Sequence, residues 1–372
     1  MNGNQRIAAT ASMAILGSAN YSQDGTLLNG FAPTSLENAD LGWEKTSSWD
    51  VGFDLAFLNN RIVLGVDYYD KLTTSLLYQV SIPGASGMSK IWDNVGNIRN
   101  RGVEIELNAT PVDTKLFRWT TSFNAAYNNN KIESLGDDNT TLYGYWNNMI
   151  IYGNAVGQAL TSYYMYDAVG VYQTAEDLKR YASMSDSKVG DVRYRDVNGD
   201  GVINDDDRTY LGHAHPDWTF GWRNQFKIWN FDLSVLFTAQ TGGMIYSTLG
   251  NVIDKPANVS YNMLSKWSNC WVSEEDPGDG HTPSIDSQAT YLDSRWLYST
   301  DFFKIKNITL GYKFKLPKQC PLRGCRLTLA VENVYVVDRY TGGFSAEATQ
   351  GAVDGGSYPH PRTFTLGAQF TF

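Results

Sequence analysis

Alternation of apolar and polar side chains at a period of two, recurring down almost the whole chain, is the feature that most restricts how this sequence can fold. In the last ten residues Phe364, Leu366, Ala368, Phe370 and Phe372 share one side of an extended strand, and Thr363, Thr365, Gly367, Gln369 and Thr371 share the other. The same spacing sets Trp49, Val51, Phe53, Leu55 and Phe57 against Asp50, Gly52, Asp54 and Ala56, and Val103, Ile105 and Leu107 against Glu104, Glu106 and Asn108. Further strands are expected near 61–78, 117–131, 161–172, 218–228, 231–239, 302–314 and 326–335. That makes roughly ten, each close to the nine to eleven residues that cross a bilayer at a barrel's tilt. One short helix is expected behind Thr174, a good N-cap, with Glu176 and Asp177 in the first turn.

Alternation alone also suits a soluble β-sandwich, which hides one face and wets the other. Three features favour a membrane barrel. Aromatic residues make up 13% of the chain and gather near strand ends, as at Trp43, Trp49, Tyr68, Tyr69, Trp218, Phe220, Trp222 and Trp229, where interfacial girdles would lie. Asp50, Asp54, Glu104, Glu106 and Arg223 fall mid-strand on the polar side, which suits a watery lumen and equally a sandwich's outer face. Connections alternate between brief (Asn59-Asn60, Trp229-Asn230 and 315–325) and long (131–160, 172–216 and 241–300). No apolar run is long enough for a spanning helix, and the mean hydropathy of −0.34 is no obstacle, because lipid-facing and lumen-facing residues average out along each strand. An open sheet would leave unsatisfied backbone groups in lipid. The expectation is therefore an antiparallel transmembrane β-barrel of which this chain, residues 1–372, is the C-terminal half. The stretch from Met1 to Asn20 makes a poor signal peptide, with only Ile7, Met13, Ile15 and Leu16 strongly apolar, so the chain is expected to begin mid-protein.

A net charge of −9 makes nucleic acid a poor expectation as a partner. The sharpest chemical motif is Asp196-Val197-Asn198-Gly199-Asp200-Gly201-Val202-Ile203-Asn204-Asp205-Asp206-Asp207, within a long loop at 173–216. It follows the EF-hand loop: Asp196, Asn198 and Asp200 offer side-chain oxygens at positions 1, 3 and 5, Gly201 makes the turn, Val202 presents its carbonyl, and Asp207 takes position 12 in place of Glu. The expected ion is Ca2+ in a structural role, with a solvated acidic turn as the alternative. His213 and His215 suit a turn before a strand or a metal. Cys320 and Cys325 are free thiols in a turn or a local bridge. No serine nucleophile motif is present, and Glu104 and Glu106 suit a charged wall better than a catalytic pair, so no enzymatic activity is expected. Trp146, Tyr163, Tyr164, Trp267 and Trp271, in or beside the long loops, either stack on sugar rings or pack the loops.

Several stretches resemble the SusC/RagA family of TonB-linked outer-membrane proteins. They are Asn38-Ala39-Asp40-Leu41-Gly42-Trp43-Glu44-Lys45-Thr46, where Ala39 replaces a frequent Pro, Phe57-Leu58-Asn59-Asn60-Arg61, Val66-Asp67-Tyr68-Tyr69, Asn94-Val95-Gly96 and Arg101-Gly102-Val103-Glu104. The calcium-like loop running into Arg208-Thr209-Tyr210-Leu211-Gly212, the segment 304–312, the terminal segment 362–372 and Gly3-Asn4-Gln5 extend the likeness. The resemblance implies a 22-stranded outer-membrane barrel whose plug and remaining strands lie upstream, and a terminal Phe that serves as an assembly signal. It also implies a SusD-like surface lipoprotein as partner, and import of oligosaccharides or peptides powered through the TonB complex. The rival expectation is a soluble, secreted calcium-binding and glycan-binding β-protein.

Overall fold

The computed structural model describes residues 12–372, apart from 83–86, 89, 137, 255–261, 288–290, 318 and 348–351. A hairpin comes first, β1 (Ile15–Gln23) and β2 (Thr26–Ser35). Its turn, Asp24-Gly25, has positive φ at both positions (50° and 79°), the type I′ geometry that matches the twist of paired strands. A nine-stranded antiparallel sheet follows: β3 (Lys45–Phe57), β4 (Ile62–Thr74), β5 (Asn97–Asp113), β6 (Phe117–Ser134), β7 (Trp218–Ile228), β8 (Phe231–Thr241), β9 (Phe302–Phe314), β10 (Gly324–Asp338) and β11 (Thr363–Thr371). Each strand pairs with its predecessor and its successor, an up-and-down wall with no crossover.

The register makes the two faces continuous across strands. Phe53, Val66, Ile105, Ala125, Phe220, Ala239, Phe303 and Val337 lie directly opposite one another in turn, one row of an apolar face. The neighbouring polar row is Asp54, Gly65, Glu106, Asn124, Gly221, Thr238 and Lys304. The apolar face is uncovered: Phe53 is 67% and Leu366 78% exposed. Some polar groups on it bond to one another within the sheet. The Trp119 indole N–H donates to Asn224 (3.1 Å) and that of Trp222 to Thr121 (2.9 Å).

The connections 58–61, 114–116, 229–230 and 315–323 all lie at one end of the wall, and 75–96, 135–217, 242–301 and 339–362 all lie at the other. The long ones fold into a crown with its own core. Ile151, Tyr163 and Met165 from the first large loop meet Tyr246, Leu292 and Trp296 from the second and Ala352 from the third. A four-stranded sheet (Thr209–His213, Ser162–Met165, Met149–Asn154, Leu142–Trp146) and a three-stranded one (Leu297–Ser299, Met244–Ser247, Val353–Asp354) frame it.

The expected wall strands at 49–57, 103–108, 117–131, 218–228, 231–239, 302–314, 326–335 and 363–372 are present, and β5 and β6 run longer than expected, at 17 and 18 residues. Two expectations need correcting. The segment 161–172 does not span. It splits into Ser162–Met165 and Ala168–Val171 in different sheets of the crown, because Tyr163 and Met165 are fully buried and Tyr166 nearly so, leaving no face for lipid. The segment 61–78 breaks at Ser75, whose φ of 55° ends β4 and frees Leu77–Ser81 to pair with Lys90–Asn94. The helix forms as expected as α1 (Ala175–Arg180), with Thr174 and Asp177 exchanging capping hydrogen bonds. Gly3-Asn4-Gln5 lies outside the described residues, and Ile15 to Asn20 belongs to β1.

Candidate functional site

The loop 196–207 closes on itself through its own acidic side chains. Asp196 accepts from the backbone N–H groups of Gly199 (2.6 Å) and Gly201 (3.0 Å), Asn198 from Asp200 (2.9 Å), and Asp200 from Val202 (2.8 Å). Positive φ at Gly199 and Gly201 (77° and 82°) lets the backbone coil tightly enough for this. Asp207 is completely buried, and its two oxygens accept from Val197 (2.9 Å) and Asn204 (2.8 Å). It has no ion-pair partner among the described residues. The donor set is oxygen throughout, the chemistry that suits a hard divalent cation, although no three His, Cys, Asp or Glu side chains among the described residues converge on one point.

The loop is anchored to the crown. Ile203 is buried against Tyr166, Val192 and Tyr194, and Val202 bridges to Ser183. Asp205 accepts from the Tyr166 hydroxyl (3.0 Å) and from Arg208, whose guanidinium lies 4.5 Å from the Tyr166 ring centre. The Tyr166 hydrogen bond and the Arg208 charge hold the exposed Asp205 carboxyl below its ordinary range. Behind this layer Arg295 clamps the fully buried Asp293, to which Tyr194 donates at 3.0 Å. Burial, then the Asp293 charge, pushes the Tyr194 phenol well above its usual value. Burial works against the Arg295 charge, but Asp293 beside it outweighs that and raises its pKa.

The polar face of the wall carries an acidic sector. Asp67 lies opposite Glu104, and Asp54 and Glu106 flank Gly65 one pair along. Amides continue it at Asn100, Asn128 and Asn130, linked to one another and to the Tyr69 hydroxyl. Of the aromatic candidates, Tyr163 and Trp267 are crown core, and Trp267 donates to the buried Asp254. Trp146 packs against the core, and Trp271 donates to the Gln173 carbonyl. Tyr164 alone joins an aromatic cluster, with Tyr143 at 5.7 Å and Tyr210 at 4.9 Å. The sequence reading missed Tyr143 and Tyr210, since pairing between distant crown strands brings them together. His213 turns its ring to the His215 carbonyl (2.8 Å), and the three cysteines are free thiols.

Residues 6–334 match the family model described as TonB dependent receptor-like, beta-barrel. The chain belongs to that family. TonB-dependent receptor P3 of Formosa agariphila is 30% identical over 391 residues, covering 100% of this chain and 38% of that protein. TonB-dependent receptor SusC of Bacteroides thetaiotaomicron is 31% identical over 347 residues, covering 90% and 32%. The chain thus spans between about a third and two fifths of these relatives' length. Among solved structures, the RagAB peptide transporter superposes with a TM-score of 0.85 at 24% identity, over 100% of this chain and 40% of that one. As part of a TonB-dependent receptor barrel the chain resides in the outer membrane, so the apolar face meets lipid and the acidic face lines the lumen. We propose that the long connections form the extracellular end and the short turns the periplasmic one, the usual asymmetry of such barrels. The reading of a soluble secreted protein falls with that assignment.

Proposed function

We propose that this chain supplies lumen wall and crown to an outer-membrane importer of oligosaccharides or peptides that works with a SusD-like surface lipoprotein and draws energy through the TonB complex. The observation that carries this reading is the acidic and amide-rich lumen face beneath a packed aromatic crown. Carboxylates on β3, β4 and β5 repel anions, while amides and tyrosines offer hydrogen bonds and ring faces to hydroxyl-bearing or peptide solutes. The test is uptake by cells carrying the whole receptor, given neutral oligosaccharides, uronate-containing oligosaccharides and short peptides. Neutral solutes or peptides should enter, and Glu104→Gln with Glu106→Gln should raise anionic uptake roughly a few-fold. Preferential uptake of polyanions by the parent receptor would sink the reading, as would purification without any lipoprotein partner would sink its partner.

The 196–207 loop is proposed to hold a structural Ca2+ through Asp196, Asn198 and Asp200, the Val202 carbonyl and Asp207. A fully buried carboxylate with no cationic partner among the described residues supports this, since buried charges are paired or coordinate metals. Terbium luminescence displaced by calcium is expected from the parent receptor and lost in Asp200→Ala. A signal unchanged by that substitution rules the site out.

A further inference from the structure

Where β5 and β6 rise toward the crown, the outward face of the wall changes character. Tyr68, Val103, Tyr127 and Trp218 form one continuous outward row, with Trp49 packed at a tilt against Tyr68 (ring centres 5.4 Å apart) and Trp218 against Tyr127 (5.0 Å). Such a girdle marks the upper edge of the hydrocarbon layer. One pair further out on the same face stand Arg101 and Asn129, and one beyond that Arg99 and Lys131. Two residues along a strand is about 7 Å, so these groups lie at the height of the headgroups. Like charges directly opposite one another weaken a sheet, yet Arg99 and Lys131 are direct cross-strand partners.

Two carboxylates arrange this cluster without filling it. Asp70, also outward, accepts from Nε of Arg99 (2.9 Å) and Nε of Arg101 (2.8 Å), and Glu133 takes Nη1 of Arg99 (2.8 Å). The terminal nitrogens of Arg101, half exposed, remain open to solvent, and Lys131 is exposed with no ionic partner among the described residues. The segment carrying Val156 and Gly157 returns against the end of β6, where the Gly157 N–H bonds the Ile132 carbonyl at 2.9 Å, and closes a cleft of about 500 Å3 over the basic groups.

We propose that this cleft binds a phosphate group of an outer-leaflet lipid. Guanidinium planes fixed through Nε present their outer N–H groups to phosphate oxygens, Lys131 adds a point charge, and the acyl chains run down the aromatic row below. Lipid and free phosphate share this chemistry, and the girdle beneath the cleft favours lipid.

The test uses the whole receptor purified in mild detergent and incubated with bisphosphorylated lipid A, dephosphorylated lipid A or inorganic phosphate, with bound lipid counted by native mass spectrometry. Arg101→Gln with Lys131→Gln should reduce retention of the phosphorylated lipid by about fivefold per charge removed. Lys115→Gln with Lys315→Gln, the same charge loss at the periplasmic turns, should leave it unchanged, and both variants should keep parental heat-modifiable mobility. Equal retention by the two double variants overturns the proposal, as does equal binding of dephosphorylated lipid. Displacement of the lipid by millimolar inorganic phosphate would make this a free-anion site and overturn the lipid assignment.

Discussion

Gly102 sits where the wall has no room for a methyl group: a Cβ there would lie 2.1 Å from the Tyr127 carbonyl oxygen and 2.4 Å from the Tyr69 hydroxyl. The missing side chain lets Tyr69 lie across β5 and donate to Asn128 (3.0 Å), fixing one edge of the lumen's amide cluster. Gly102→Ala should destabilise the barrel by about 1–3 kcal/mol, the usual cost of overpacking, read as a lower temperature for the mobility shift of folded receptor on electrophoresis. A second residue-level expectation concerns acid. Asp205 is held low by the Tyr166 hydroxyl and Arg208, and Asp354 is held low because the Ser357 and Gly356 N–H groups and the Tyr340 hydroxyl outweigh its burial. Carboxyls depressed in the folded state contribute stability that is complete above their ordinary pKa of about 4 and drains as pH falls through the lowered values. Pepsin digestion of the crown should therefore accelerate below about pH 4, while an unchanged rate down to that enzyme's optimum would contradict it.

Among the elements, the crown behaves as a small domain knitted from three loops. Trp296 is 1% exposed and donates to Asp254 at 3.0 Å, as does Trp267. Trp296→Ala should cost the crown about 3–5 kcal/mol while leaving the wall intact, so proteolysis of crown loops should rise with no change in heat-modifiable mobility. The wall was largely legible in the sequence because each strand carries its own two-faced pattern, as in β3, β5 and β11. The segment 161–172 misled because a row of Tyr and Val reads as a strand wherever it is buried, and only its partners reveal that both faces are covered. The hairpin of β1 and β2 went unread even though Asp24-Gly25 is a strong turn signal, since Ala, Ser, Gly and Asn dilute the alternation around it. Legibility of the site divides the same way. The geometry of 196–207 is local and follows from spacing, whereas the Asp293, Arg295 and Tyr194 group joins residues about a hundred positions apart.

For the whole molecule, the sorting of short turns to one end and long loops to the other makes the proposed sidedness testable. With the native cysteines replaced by Ser, Val197→Cys in the acidic loop should react on intact cells with a membrane-impermeant maleimide, and Trp229→Cys should react only after the outer membrane is opened. Both side chains are well exposed, at 46% and 69%, so the difference would report sidedness rather than burial. Backbone pairing links β3 to β11 without a gap, with register shifts where β5 meets β6, β8 meets β9 and β9 meets β10. The crown's core, by contrast, draws Tyr163, Trp296 and Ala352 from three separate connections into one packed cluster. Inheritance in such a molecule is accordingly lopsided. Loops can be exchanged between descendants on an unchanged scaffold, but a single loop arriving alone would bring half a core with it, so new specificities should be handed on as matched sets of three.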